Sequence, residues 1–213
     1  MDTFYRVKNN RIHLNRYAWA NTILWTDFAL RPQCEICGDD GAETPGGFDV
    51  VVGQGSKYPD ILGCGHVPYF ILSDRAVETW KRHGITNFDQ YRVTVRIAKP
   101  KLLRGVTPPP YWRIEPRGKC AVDLESKGLI PERWCEEHKR YRRKITIHVS
   151  KTVLVPGTWD GSDLFRDVNY SRYVVMCTKR LADICIAEKL LCFRFDRIDA
   201  ADRHPGKGDL YTK

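Results

Sequence analysis

The sequence predicts an α+β protein: a mixed or antiparallel sheet with short helices, built as two similar strand–helix–strand halves linked by a structural zinc site. Three observations predict it. Short apolar runs with period-two alternation recur between turn-forming residues. Two helix patterns, headed by Ser73 and Thr178, are each flanked by strand patterns. Two ligand-like pairs, Cys34-Glu35-Ile36-Cys37-Gly38 and Cys135-Glu136-Glu137-His138, stand at nearly the same separation as the two helices.

In chain order, Phe4 to Val7 reads as an opening strand and Phe48 to Val52 as another. Pro68 to Leu72 is a buried strand. Ser73 then caps a helix that runs through Ala76, Val77 and Trp80 to a stop at Gly84, with Glu78, Lys81 and Arg82 as its charges. Phe88 to Ile97 alternates as a strand, with Tyr91, Val93, Val95 and Ile97 on one face and Arg92, Thr94 and Arg96 on the other. Lys99 to Pro110 is a proline-rich link that cannot be helix throughout. Strands follow at Tyr111 to Ile114, Ile145 to Val149 and Val153 to Val155. Tyr173 to Cys177 is an apolar strand, Thr178 a second cap, Leu181 to Lys189 a short helix and Leu191 to Ile198 a last strand.

The second half therefore resembles the first. Setting Ser73 on Thr178 aligns Arg75 with Arg180, Glu78 with Asp183, Ile85 with Leu190 and Phe88 with Phe193. One domain over 1–213 is expected, with an internal duplication of 1–104 and 105–213.

The ligand pairs carry the only strong chemistry. Two residues between ligands let both side chains turn toward one ion, and Cys3His is an accepted set for tetrahedral zinc. Cys34, Cys37, Cys135 and His138 are the expected ligands of one structural Zn2+. Cys64-Gly65-His66 has one residue too few for easy chelation, and Cys120 is badly spaced from Cys135; either could still replace a member of the set. Four protein ligands close the site to water, and the deaminase pattern of His-x-Glu with Pro-Cys-x-x-Cys is absent, so the zinc is structural rather than catalytic. Gly38-Asp39-Asp40-Gly41 after the first pair is a turn, where a thioredoxin-type redox pair needs a helix. No phosphate-binding loop and no nucleophile elbow occurs. Asp160, Asp163 and Asp167 read as a surface loop, and Trp112, Trp134 and Trp159 as packing aromatics.

Composition agrees with a globular chain. Of its 213 residues 42% are hydrophobic, enough for a core that needs no metal to compensate for smallness. No apolar run approaches the roughly 18 residues that span a membrane, and the start lacks the pattern of a secretory signal. The eight cysteines then point to a reducing, cytoplasmic setting, with Cys177, Cys185 and Cys192 packed in the core. The net charge of +9 peaks at Lys139-Arg140-Tyr141-Arg142-Arg143-Lys144, directly after the second pair.

These features together resemble the double-CXXCG motif family, expanded in myxobacteria. The likeness runs through Cys34 to Gly38, the strand and helix around Tyr69 to Gly84, and the second motif near Cys135. It continues through Asp163-Leu164-Phe165-Arg166 and the Phe193-Arg194-Phe195 strand. His138 and Lys139 stand where the family's second motif has Cys and Gly. The family includes immunity proteins of contact-dependent toxin systems. The resemblance thus implies a non-catalytic binder that neutralises a cognate protein toxin. The basic charge suits a toxin with an acidic face. The rival expectation is a basic zinc protein that binds nucleic acid through Lys139 to Lys144, with Tyr141 stacking on a base.

Overall fold

The computed structural model describes residues 3–9, 16–24, 34, 36, 48–64, 70–97, 103, 105–127, 129–137, 140–145, 152–169, 174–199 and 210–211. The first strands are β1 (Phe4–Asn9), β2 (Trp19–Leu24), β3 (Phe48–Gln54), β4 (Ile61–Cys64) and β5 (Ile71–Ser73). Helix α1 (Asp74–Arg82) follows, then β6 (Phe88–Ile97), β7 (Tyr111–Pro116) and β8 (Gly118–Cys120). Next come β9 (Leu129–Cys135), β10 (Arg140–Ile145), β11 (Leu164–Asp167) and β12 (Val175–Thr178). Helix α2 (Lys179–Ala187), β13 (Phe193–Arg197) and β14 (Leu210–Tyr211) complete the order. No helix is long and apolar enough to cross a membrane among the described residues.

The fold is α+β, with short helices on mixed sheets. Strands β2-β3-β6-β7-β5-β4 close into a barrel, and β14-β13-β1-β12-β11-β8 form an open sheet. Among the described residues strands β9 and β10 pair only with each other, as a two-stranded antiparallel ribbon. A run of five strands has the same order and directions in both larger sheets. In the barrel, β2 is parallel to β4, and β4-β5-β7-β6 are successively antiparallel. In the open sheet, β8 is parallel to β11, and β11-β12-β1-β13 are successively antiparallel. The N-terminal strand β1 thus occupies in the second sheet the place that β7 holds in the first.

Both expected helices form where their caps predict. Ser73 and Thr178 are extended residues whose side chains accept from the backbone N–H three positions on, Ala76 and Leu181. Their C-termini also match. Ile85 N donates to Trp80 O and Leu190 N to Cys185 O, each wrapped over a left-handed residue, Gly84 at φ +78° and Lys189 at φ +54°. Gly84 is the residue type such a cap favours; Lys189 takes the same conformation with a side chain.

The two helices share one core. Trp80, fully buried, lies among the rings of Phe70, Phe88 and Phe193, with centroids 5.8, 6.1 and 6.1 Å away. Its indole N–H donates to Cys185 Sγ at 3.3 Å on α2. The same cluster takes in Tyr5 and Val7 of β1, Leu72 of β5, and Leu181 and Phe195. A second cluster fills the barrel: Phe48, Val50, Val52, Leu62, Ile71, Val93 and Tyr111. Cys177, Cys185 and Cys192 are core residues, as expected. Burial pushes all three thiols up, the last two to about 12, which leaves them protonated and unreactive.

Several boundaries differ from the sequence expectation. The basic run is strand β10, paired with β9, whereas the strand expected at Ile145 to Val149 has only Ile145 among the described residues. Val153 to Val155 contributes a single bridge, Leu154 to Val122. Pro68 and Tyr69 lie outside the described residues, and the strand they were to open is Ile71–Ser73.

Candidate metal centre

Cys34 and Cys135, 101 residues apart in sequence, are in contact: their Sγ atoms lie 3.8 Å from each other. A disulfide would need about 2.05 Å. Two sulfurs on one tetrahedral zinc, each about 2.3 Å from the metal, stand about 3.8 Å apart. The pair therefore already has the edge length of a shared zinc site. Cys135 is fully buried at the end of β9, and the turn at Glu136 and Glu137 leads the chain back to Arg140, directly opposite Cys135 in the ribbon. Cys34 is half-buried and Ile36 sits in a turn. Cys37 and His138, the other two expected ligands, lie outside the described residues.

The positions of the two motifs in the fold correspond. Cys34 lies between β2 and β4, and Cys135 between β8 and β11, the matching parallel pairs of the two sheets. Among the substitute ligands, Cys120 is 1% exposed in β8. Its thiol donates to the Arg166 carbonyl and is pushed up to about 12 by burial, so it packs as a hydrophobe. Cys64 ends β4; its side chain and His66 lie outside the described residues. Among the described residues no group of three or more His, Cys, Asp or Glu converges.

A second feature of the halves escaped the sequence reading. Asp60 accepts from the Ser73 hydroxyl at 2.6 Å and from Arg75 Nη1 at 2.8 Å. Asp163 accepts from the Thr178 hydroxyl and from Arg180 Nη1. Each arginine then reaches over to the end of the opposite helix: Arg75 Nη2 donates to the carbonyls of Glu188 and Lys189, and Arg180 Nη2 to that of His83. Those carbonyls are helix-terminal acceptors, which arginine satisfies well. His83 and Glu188, one from each helix end, meet side chain to side chain at 2.8 Å. The His83 contact, reinforced by Arg82, holds the Glu188 carboxyl below its ordinary range. Asp60 also accepts from Leu191 N at 2.7 Å, which ties the first half to the second.

Asp163 and Asp167 are corrected from surface-loop residues to structural acceptors. Asp167 is 1% exposed and accepts from the N–H groups of Val122 and Asn169. Asp160 alone among the three fits a loop role; burial works against its charge, but N–H donors from Ser162 and Lys119 hold it lowered. The signal that would have found Asp60 and Asp163 is positional: each precedes its cap by a similar interval and has an arginine two residues beyond the cap. Trp112 and Trp159 pack against core clusters, whereas Trp134 is 40% exposed on the ribbon. Compared with protein-family models and with curated proteins, the chain matches none.

Proposed function

We propose that this chain is a cytoplasmic, immunity-type protein that binds and neutralises a cognate protein toxin without catalysis of its own. In this reading it is a duplicated fold whose halves are pinned by one structural Zn2+ on Cys34, Cys37, Cys135 and His138. The carrying observation is the 3.8 Å approach of Cys34 and Cys135. It joins motifs that sit between corresponding strands of two sheets with the same five-strand order. Duplication is further supported by the matched caps, the Asp–Arg pairs and the reciprocal reach of Arg75 and Arg180.

The non-catalytic character is supported by how the carboxylates are used. Asp60, Asp163 and Asp167 accept from backbone and side-chain donors within the fold. None is held ready as a general acid or base. The charge of +9 supports a partner with an acidic face. Copurification with the protein toxin encoded beside the gene, in a 1:1 complex that blocks its activity, tests the reading. Failure to bind any neighbouring gene product would overturn it.

One observation favours a second reading, nucleic-acid binding. The basic run is one strand of a two-stranded ribbon, where Arg142 stands opposite Arg133 and Tyr141 opposite Trp134. A ribbon of this width fits a duplex major groove. The salt dependence of any nucleic-acid affinity separates the two readings.

A further inference from the structure

The barrel holds a buried guanidinium that the described residues satisfy only in part. Arg113, on β7, is 1% exposed. Its guanidinium lies 4.4 Å from the Tyr91 ring centroid and 6.0 Å from that of Phe48. One nitrogen, Nη2, reaches Glu115 Oε1 at 3.2 Å, and that carboxylate is 37% exposed. Among the described residues Nε and Nη1 have no hydrogen-bond partner. A guanidinium cannot shed its proton to escape this cost, so three N–H bonds are left pointing at nothing in a low-dielectric interior. A second donor of the same barrel core, Tyr58 Oη, is buried without a partner among the described residues, its ring 6.4 Å from that of Tyr111, two residues before Arg113 on β7.

Native proteins rarely tolerate such groups, and an absent acceptor is the ordinary explanation. We infer that the end of the barrel at Arg113 is a receptor for a small oxyanion, a carboxylate or a phosphate, held by Nε and Nη1 between the rings of Tyr91 and Phe48. Tyr91 is Arg113's register partner on β6, so the cation–π contact fixes the fork in orientation rather than leaving it to swing. Charge-assisted bonds to an oxyanion are the strongest that this side chain makes. The weakly engaged, half-exposed Glu115 competes for the same cation and sets the affinity. Phe48 opens β3 at the barrel end where β2 stops at Leu24, the strand ends that bracket the segment carrying Cys34.

The test uses the full-length protein as purified, titrated with sodium phosphate and, separately, sodium acetate at constant ionic strength with chloride as the balancing anion. Thermal shift and calorimetry follow binding. A saturable rise in Tm and a single site are expected with at least one anion. Phosphate preference assigns a phosphoryl ligand, and equal or better acetate binding a carboxylate. Arg113→Met abolishes the response, and Arg113→Lys, with a charge but no fork, weakens it at least about tenfold. Glu115→Gln removes the competitor and tightens binding about tenfold, and this variant carries the test if Arg113→Met does not fold. An absent response to both anions, a response retained in folded Arg113→Met, or an affinity unchanged in Glu115→Gln overturns the proposal.

Discussion

Asp60 and Asp163 play the same part in two environments, and the difference in burial separates their energetics. The Asp60 side chain is 6% exposed and accepts from Ser73, Arg75 and Leu191; that of Asp163 is 22% exposed and serves Thr178 and Arg180. Removing a buried acceptor leaves its donors unsatisfied. Asp60→Ala should therefore cost about 3 kcal/mol and Asp163→Ala about 1–2 kcal/mol, as measured by denaturant unfolding. Both roles are hard to read in the sequence, because the donors come from 13, 15 and 131 residues away; the positional signal is an arginine two residues beyond each cap and an aspartate a similar interval before it. The caps themselves were legible, since a cap satisfies an N–H only three residues on. Acid sensitivity belongs to this scale too. Glu188 and Asp89 have carboxyls held below their ordinary values of 4.5 and 3.8, by His83 and by Arg117. A depressed carboxyl binds fewer protons folded than unfolded, so its contribution is present above those values and lost as pH falls through the folded ones. Stability should decline below about pH 4.5, and Glu188→Gln should make that decline shallower.

At the scale of elements, the helices were legible in position and in capping, and strand β6 in its alternation. The ends of β6, Phe88 and Ile97, were legible too; those of β5 and β10 and the far end of β7 were not, because they depend on pairing partners rather than on the residues themselves. The insertion of β1 between β12 and β13 was invisible for the same reason: its sequence, Phe4 to Asn9, says only that it is a strand. The two helix ends offer a clean test. Gly84 and Lys189 wrap equivalent C-termini in the left-handed region, which costs a side-chain-bearing residue about 1 kcal/mol. Lys189→Gly should stabilise the fold by roughly 0.5–1 kcal/mol in equilibrium unfolding, and a loss would show the cap to be set by other contacts. The β9–β10 ribbon decides between the two functional readings. If it serves nucleic acid, neutralising Arg140, Arg142 and Arg143 together should lower the salt slope of binding by about 2–3 units. The toxin-binding account predicts negligible nucleic-acid affinity from the start and an unchanged fold in the triple variant.

At the scale of the whole molecule, two sheets with a common five-strand run meet through one core, reciprocal arginines and a cysteine contact. The pair spacing leads to the expectation that Cys34 and Cys135 meet, and these two do; Cys37 and His138 lie outside the described residues. The oxyanion seat at Arg113 was not legible, because an arginine in an alternating strand reads as solvent-facing until the barrel closes around it. In the proposed reading one zinc joins the halves, and elemental analysis of the purified protein tests this most directly. One zinc per chain is predicted. Cys34→Ser/Cys37→Ser should lose the ion and lower Tm by about 10 °C or more, since binding energy at such a site is folding energy. Full zinc occupancy in that double variant, or a wild-type protein purified without chelator that carries no zinc, would contradict it.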